Sequence, residues 1–208
     1  MTVGTALALI DYGAGNLHSV HNALRAAGAE NVSVTADPDV VARADRIVLP
    51  GVGAFGACAR ELRAIDGMVG AMENRVRKDG IPFLGICVGM QLLAARGVEH
   101  GVHDGLDWLG GEVRAIESDD PAIKVPHMGW NAVDLRGSSP LIEPGEAYFL
   151  HGYHFSAADP TDIAAVTDHG GPITAAVARD NIIGVQFHPE KSQAYGLALL
   201  GRFLEWTP

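Results

Sequence analysis

The stretch GICVGMQ, residues 85–91, places a cysteine between two glycines. The apolar run IPFLGI before Cys87 predicts a strand, and MQLLAAR after it predicts a helix. Gly85 and Gly89 would let the chain bend sharply and keep β-carbons away, as in the strand–turn–helix elbow that presents a nucleophile. The following helix would point its N-terminus at the thiol and favour a thiolate. On this stretch alone, a nucleophile and a buried inert thiol are equally good interpretations of Cys87.

A thiol nucleophile needs a base, and the tripeptide His188-Pro189-Glu190 offers one. Proline favours an extended conformation in the residue before it, and residues two apart in an extended chain face the same way. His188 and Glu190 can therefore point to one side, where the carboxylate would orient the imidazole as in a catalytic triad. A solvated histidine and a surface glutamate would be the simpler interpretation of the tripeptide alone. Taken with the elbow, it favours a Cys87–His188–Glu190 triad.

A glycine-rich loop, GVGAFG at residues 51–56, matches the G-x-G-x-x-G motif of dinucleotide-binding proteins, with Glu73 further along. The loop follows the third predicted strand, whereas the usual fingerprint lies after the first, and Pro50 stiffens its approach. A non-catalytic NAD-binding module is therefore the less favoured hypothesis. Backbone N–H groups presented to a developing negative charge are the better use of this loop.

The other histidines do not form a convincing set of metal ligands. His151 and His154 are three residues apart, so they would face opposite sides of a strand. His100 and His103 lack further clear ligands, and His18 and His21 fall on one predicted helix. The sequence predicts no metal site and no cofactor.

Composition narrows the class of protein. The chain has 208 residues, 48% of them hydrophobic and 19% charged, and a net charge of −10. That charge argues against binding to nucleic acid, which needs clustered basic residues. The two cysteines are too few for a disulfide scaffold, and Cys58 reads as a structural thiol on an amphipathic helix, so a reducing, cytoplasmic setting is expected. The start of the chain lacks the basic region of a signal peptide, and no apolar run approaches the ~18 residues of a membrane span.

The pattern of strands and helices predicts an α/β fold. Short apolar strands alternate with helices up to about residue 105, which indicates βαβ units around a mostly parallel central sheet. Shorter extended runs follow and predict an additional antiparallel section, including a hairpin with RDN at its centre, residues 179–181. A final helix spans SQAYGLALLGRFLEW. We expect a single domain over residues 1–208.

Six segments together resemble the triad (class I) glutamine amidotransferases, whose fold is flavodoxin-like: IDYGAGN (10–16), LPGVGAF (49–55), GICVGMQLL (85–93), VPHMGWN (125–131), YFLHGYHF (148–155) and FHPEKS (187–192). The cysteine and His-Pro-Glu motifs are typical of the whole superfamily. The segments DYGAGN, PHMGWN and HPEKS are closest to the glutaminase subunits of imidazole glycerol phosphate synthases, which act in histidine biosynthesis. The resemblance spans essentially the whole chain.

The resemblance implies that Cys87 attacks the side-chain amide of glutamine, that His188 relays protons and that Glu190 orients His188. It implies an oxyanion hole made by the backbone N–H groups of Val88, Val52 and Gly53. The implied contacts with glutamine are Gly51, Gln91, His151, Gly152 and Tyr153. The family usually reads His-Ser-Tyr where this chain has His151-Gly152-Tyr153, so glutamine affinity depends on whether that contact is made by backbone or by the serine hydroxyl.

The resemblance also implies a partner, a cyclase subunit with a (β/α)₈ barrel that receives ammonia through a tunnel in a heterodimer. Four residues would face it: Tyr12, Asn16, Trp130 and Lys191. A helix cap and a core aromatic are the simpler interpretations of Asn16 and Trp130. Two further alternatives remain open, the glutaminase of pyridoxal phosphate synthesis and a cysteine hydrolase or peptidase that needs no partner.

Overall fold

The computed structural model describes residues 5–137 and 139–208. Six α-helices lie in these ranges: α1 (Leu17–Ala26), α2 (Pro38–Val41), α3 (Phe55–Ala64), α4 (Met68–Glu73), α5 (Val88–Gln91) and α6 (Gln193–Glu205). A π-helical turn, Asn74–Lys78, continues α4, and 3₁₀ turns occupy Pro160–Asp162 and Pro189–Lys191.

Thirteen strands accompany these helices in the described ranges. Those of the first half are β1 (Ala6–Ile10), β2 (Asn31–Thr35), β3 (Arg46–Gly51), β4 (Phe83–Cys87), β5 (Arg96–Gly97) and β6 (His103–Asp104). Those of the second half are β7 (Gly111–Ala115), β8 (His127–Leu135), β9 (Gly145–His151), β10 (Tyr153–Ala157), β11 (Ile163–Asp168), β12 (Pro172–Arg179) and β13 (Ile182–Val185).

The larger sheet has nine strands in the order β2-β1-β3-β4-β13-β12-β11-β8-β9. Its first five strands are parallel, and the remaining pairings are antiparallel. Strands β3, β4 and β13 are buried throughout, because helices cover both faces of a parallel sheet and leave no polar side for solvent. The predicted α/β class with an antiparallel section is confirmed.

The antiparallel section begins with the predicted hairpin, in which β12 and β13 pair through Arg179 and Ile182. Asp180 turns the chain with a φ of 51°, a left-handed conformation that Asp and Asn tolerate better than most residues. A second, four-stranded sheet, β10-β7-β5-β6, packs beside the main one. This hairpin brings β13 back beside β4, so residues 186–190 emerge next to Cys87.

The helix after Cys87 is shorter than the sequence pattern predicts. It ends at Gln91, and the following residues turn to bond a loop instead, with the amides of Leu106 and Trp108 donating to the carbonyls of Leu92 and Leu93. Tertiary hydrogen bonds thus override the helical pattern of MQLLAAR. None of the helices in the described ranges has the length and apolar content that crossing a membrane requires.

Candidate active site

Cys87 ends β4 in a backbone conformation that L-residues rarely adopt. Its φ of 54° and ψ of −114° turn the chain abruptly into α5, and its side chain is buried, with 4% of the residue exposed. Such conformations cost about 1–3 kcal/mol and cluster at functional sites. The amide of Val88 begins α5 and has no acceptor within the helix, so it is available to a bound group. The elbow predicted from the sequence is therefore present.

The flanking glycines serve close packing rather than the bend itself. Neither Gly85 nor Gly89 has a positive φ; the residue with a positive φ is Cys87. A β-carbon on Gly85 would lie 2.6 Å from the carbonyl oxygen of Gly89, and one on Gly89 would overlap the carbonyl group of Leu49 in β3. The two glycines thus let α5 fold back on β4 and lie against the neighbouring strand.

His188 and Glu190 meet at the same place. His188 is extended, with φ of −101° and ψ of 99°, and its Nδ1 lies 2.9 Å from Oε1 of Glu190. Both side chains are almost fully buried. Burial lowers the pKa of His188, but hydrogen bonds with Cys87 and Glu190 outweigh it and raise the pKa from 6.5 to about 9. A protonated imidazole beside the sulfur is the partner that a thiolate needs.

Backbone and hydroxyl groups fix the segment that carries His188. Its amide donates to the carbonyl of Tyr148 in β9 at 2.9 Å. Ser192, which is buried, donates its hydroxyl to the carbonyl of His188 at 2.7 Å and accepts the amide of Tyr148 at 2.9 Å. Ser192 closes the FHPEKS segment, but this supporting role was not predicted from the sequence. These bonds hold the backbone that carries His188 against β9 at Tyr148.

The glycine-rich loop lies beside the elbow. Parallel pairing of β3 with β4 places Gly51 opposite Cys87, and a β-carbon on Gly51 would lie 2.7 Å from the amide nitrogen of Gly89. Gly53 has a φ of 98°, which favours glycine. The carbonyl of Val52 accepts a hydrogen bond from the thiol of Cys58 at 3.3 Å, which ties the loop to α3.

A cavity of about 260 Å³ opens over the sulfur. Its lining contains most of the predicted site residues, namely Cys87, Val88, Val52, Gly53, Gln91, His151, Gly152, Tyr153, His188 and Lys191. Gly51 lies just beneath, and Glu190 lies behind His188. The lining also includes Glu99, which the sequence analysis missed; its carboxylate accepts the amide of Phe55 at 2.7 Å and so holds the start of α3.

Histidines form an ordered hydrogen-bonded chain behind the cavity. His151 Nδ1 lies 2.8 Å from the carbonyl of Tyr153, and His151 Nε2 lies 3.1 Å from His127 Nδ1. Asn131 donates to His127 Nε2 at 3.1 Å. Because the Tyr153 carbonyl only accepts and the Asn131 NH₂ group only donates, the bonds are all satisfied when each imidazole is neutral with its proton on Nδ1. Burial accordingly lowers the pKa of His127 to about 4 and that of His151 to about 3.

This series of hydrogen-bonded histidines was not predicted from the sequence, where His151 was paired with His154 alone. The pairing of His127 with His151 follows from the register of β8 with β9, which the sequence pattern does not give. In the described ranges, no three histidine, cysteine or carboxylate side chains are grouped to hold a metal ion.

Of the four residues predicted to face a partner, three are at least partly exposed and Tyr12 is buried. Trp130 is 47% exposed, so it is not a core aromatic, and Lys191 is exposed with Nζ 5.9 Å from the ring centroid of Tyr148. Asn16 occupies the N-cap position of α1, but its side chain makes no capping hydrogen bond. Tyr12 differs from the prediction: it is 4% exposed and donates its hydroxyl to the carbonyl of Pro50 at 2.8 Å. Burial raises the pKa of this phenol, which supports the glycine-rich loop from inside.

Comparison with known protein families identifies the family to which the chain belongs. The family model for "Glutamine amidotransferase class-I" matches residues 8–205. The chain belongs to the class-I glutamine amidotransferase family. It is thus a glutamine amidotransferase, rather than an NAD-binding module or a cysteine hydrolase or peptidase of related fold.

Individual relatives of this amidotransferase are similar along their whole length. It is 60% identical over 207 residues to an "Imidazole glycerol phosphate synthase subunit HisH" from Zymomonas mobilis, an alignment that covers 98% of this chain and 97% of the relative. It is 54% identical to a protein of the same name from Rhodospirillum rubrum, covering 97% of this chain and 99% of the relative.

Solved structures confirm the fold of the amidotransferase. A crystal structure of a glutamine amidotransferase superposes with a TM-score of 0.74 at 17% identity, covering 95% of this chain and 97% of the other. The structure of PurLQS from Thermotoga maritima superposes with a TM-score of 0.72 at 18% identity, covering 98% and 99%.

Proposed function

We propose that the chain is the glutaminase subunit of an imidazole glycerol phosphate synthase, with Cys87, His188 and Glu190 as its catalytic triad. The observation that carries the proposal is the buried line of sulfur, imidazole and carboxylate at the floor of a cavity of about 260 Å³. The near-complete coverage of relatives named as subunits of that synthase supports the choice of reaction.

In the proposed reaction the Cys87 sulfur attacks the side-chain amide carbon of glutamine. The amide N–H of Val88 and those of the Val52–Gly53 loop would stabilise the negative oxygen, and each such donor is typically worth about 3–4 kcal/mol. His188 gives its proton to the leaving nitrogen, so that ammonia departs and a glutamyl thioester remains. His188 then takes a proton from water, whose oxygen attacks the thioester, releases glutamate and frees the sulfur.

The cavity offers complementary charges for a free amino acid. Glu99 is the one carboxylate in the lining, and Lys191 is its one lysine. An α-ammonium group would pair with Glu99 and an α-carboxylate with Lys191, which orients the side-chain amide towards the sulfur. The His151–Tyr153 segment and Gln91 would complete the site.

The mouth of the cavity adjoins an exposed apolar surface suited to a protein partner. Val52 and Leu150 line the cavity and are themselves exposed, and Met128 and Trp130 project from β8, which pairs with the strand that carries Leu150. Such a patch around an opening indicates an interaction site. We assign this surface to the cyclase subunit, so that ammonia leaves the cavity directly into the partner. Partner binding would also let the Val52–Gly53 loop settle in its productive form.

The deciding experiment measures glutamate release from glutamine by the full chain, alone and with the cyclase subunit and its nucleotide ligand. We expect little activity alone and a strong increase with the cyclase, and no turnover by Cys87→Ala in either case. Full activity alone would contradict the coupling, and turnover by Cys87→Ala would contradict the thioester. Activation only by the synthase subunit of pyridoxal phosphate formation would favour that alternative.

A matched pair of variants tests the docking surface. Trp130→Ala should weaken cyclase binding by more than about tenfold, as expected for an exposed aromatic anchor. Leu135 is also exposed but lies at the far end of the same strand, so Leu135→Ala should leave the affinity unchanged. Equal affinities of the two variants in titration calorimetry would place the partner elsewhere.

A further inference from the structure

Gln186 touches the candidate nucleophile but belongs to none of the roles assigned above. It follows β13 and lies two residues before His188, and it is completely buried, with 0% exposed. Its Nε2 lies 3.7 Å from the sulfur of Cys87, and its Oε1 lies 3.0 Å from Nε2 of Gln91. Its backbone amide donates to Ala175 of β12 at 2.8 Å, so the side chain starts from a fixed position.

The hydrogen-bond network fixes which end of the Gln186 amide faces the sulfur. The carbonyl of Tyr153 can only accept, and Gln91 Nε2 lies 3.1 Å from it, so the NH₂ group of Gln91 points there. The same NH₂ group also faces Gln186, which must therefore present its oxygen. A flipped Gln186 would set two NH₂ groups against each other. Its own NH₂ group consequently points at Cys87.

A second anchor holds the carbonyl of Tyr153 in this arrangement. His151 donates its Nδ1 proton to the same oxygen at 2.8 Å, from the opposite branch of the network. Both hydrogens of the Gln91 NH₂ group are then occupied, one by Tyr153 and one by Gln186. Gln91 can offer bound glutamine only its amide oxygen.

We propose that Gln186 is a second donor to the nucleophilic sulfur, which stabilises the Cys87 thiolate in addition to His188, and that Gln91 is the positioning residue that sets its amide. The inference rests on the proposed function, in which Cys87 is the nucleophile. A buried thiolate lacks the hydration it would have in water, so each N–H that points at it lowers the free energy of the charged form. His188 gives up its proton to the leaving ammonia during the reaction, whereas the amide of Gln186 stays in place throughout.

A purely structural role would make a different prediction. A buried amide that only fills space and satisfies Gln91 would affect the free energy of unfolding, but not the pH at which the sulfur becomes reactive. Asn181 provides the matched comparison, because it lies at the opposite end of β13 and its side chain donates to the carbonyls of Val76 and Ile81. Its loss removes two hydrogen bonds far from the sulfur.

The experiment measures the rate of Cys87 alkylation by iodoacetamide against pH, on the full chain without glutamine, with the modified peptide identified by mass spectrometry. Gln186→Met keeps the size but has no donor, and Gln186→Asn is a milder change that withdraws the amide from the sulfur. We expect the midpoint of the alkylation profile to move up by about one to two pH units in Gln186→Met and by less in Gln186→Asn, from the strength of hydrogen bonds to charged groups. Asn181→Ala should lower Tm and leave the midpoint unchanged.

Midpoints equal to the wild type in both Gln186 variants, with a lowered Tm, would overturn the proposal and leave Gln186 a structural residue. An equal upward shift in Asn181→Ala would overturn it as well, since the effect would then be general. The titration needs neither glutamine nor a partner, so its result is separate from the proposed function, which fails instead if Cys87→Ala retains glutamine turnover.

Discussion

Replacing Gly89 by alanine tests whether the close packing of α5 on β3 sets the position of the Cys87 sulfur. A β-carbon at this position would overlap the carbonyl oxygen of Leu49 and lie 2.8 Å from its carbonyl carbon. Carbon atoms pack at about 3.5–4.0 Å, so the two backbones must separate by roughly 1 Å. Backbone cannot swing aside as the end of a side chain can, and the elbow must therefore shift relative to the loop that follows β3.

Both stability and catalysis should suffer. Overpacking of this kind costs typically about 1–3 kcal/mol. For a chain of 208 residues, each kcal/mol lowers Tm by about 2–4 °C, so we expect a fall of about 2–12 °C. A displacement of about 1 Å between the sulfur and its oxyanion donors can cost on the order of 10²-fold in rate. We therefore expect kcat for glutamine hydrolysis in the cyclase complex to drop by about that factor, while KM changes less.

Gly70 supplies the control. It is exposed in α4, and a β-carbon there would meet nothing within 4 Å. Gly70→Ala should therefore stabilise the helix by about 0.5–1 kcal/mol and leave kcat unchanged. Tm by circular dichroism and coupled detection of glutamate report the two quantities. If Gly89→Ala matches Gly70→Ala in both, the packing argument is wrong.

Three further predictions follow from the site. Gly152→Ser has room, since a β-carbon at this position meets only a side-chain carbon of Val125 at 3.7 Å; we expect an unchanged Tm and a lower KM for glutamine if the hydroxyl binds, and the same KM if backbone alone does. Glu190→Gln should reduce kcat by about 10²–10⁴, because an amide cannot hold His188 in its protonated orientation; a kcat near the wild-type value would remove Glu190 from the triad. Because the pKa values of His127 and His151 are lowered in the folded protein, the unfolded chain binds more protons than the folded one below pH 6.5. Tm should therefore fall as the pH drops from about 6.5 towards 4. An equally steep fall of Tm in a His127→Gln variant would exclude this cause.

The sequence motifs predicted which candidate catalytic side chains would meet, because parallel strands bring their carboxyl ends to one edge of a sheet. Cys87 follows β4 and His188 follows β13, and these strands are neighbours. The glycine-rich loop follows β3 on the other side of β4. A motif at the end of each strand therefore sufficed once the strand order was that of a class-I amidotransferase. Local patterns did not suffice for the length of α5, whose end is set by hydrogen bonds to residues more than ten positions away.

The roles of Gln186 and Tyr12 could not be predicted for a related reason. Tyr12 follows β1 and could have turned outward, but the carbonyl of Pro50 in β3 accepts its hydroxyl inside the fold. Gln186 stands in the apolar run GVQF. The hydrogen bonds that orient its side-chain amide involve Gln91 and, through it, Tyr153, and they form only in the folded protein. A polar residue within a buried apolar run was the signal available for Gln186, because such a group must find partners there.

Strand β8 contributes side chains both to the exposed apolar surface and to the hydrogen bonds behind the cavity. Side chains alternate across a strand, so Met128 and Trp130 lie on the exposed side while His127 and Asn131 turn to the other. Hydrogen bonds lead from His127 through His151 to the carbonyl of Tyr153, which also accepts a hydrogen bond from the side-chain amide of Gln91 beside the candidate nucleophile. Each bond in that series has a fixed donor and acceptor, so a shift of β8 under a docked partner cannot be absorbed by exchanging their roles. We expect such a shift to reach the carbonyl that anchors Gln91 and, through it, the amide that faces the sulfur, because all of these groups belong to one hydrogen-bonded series.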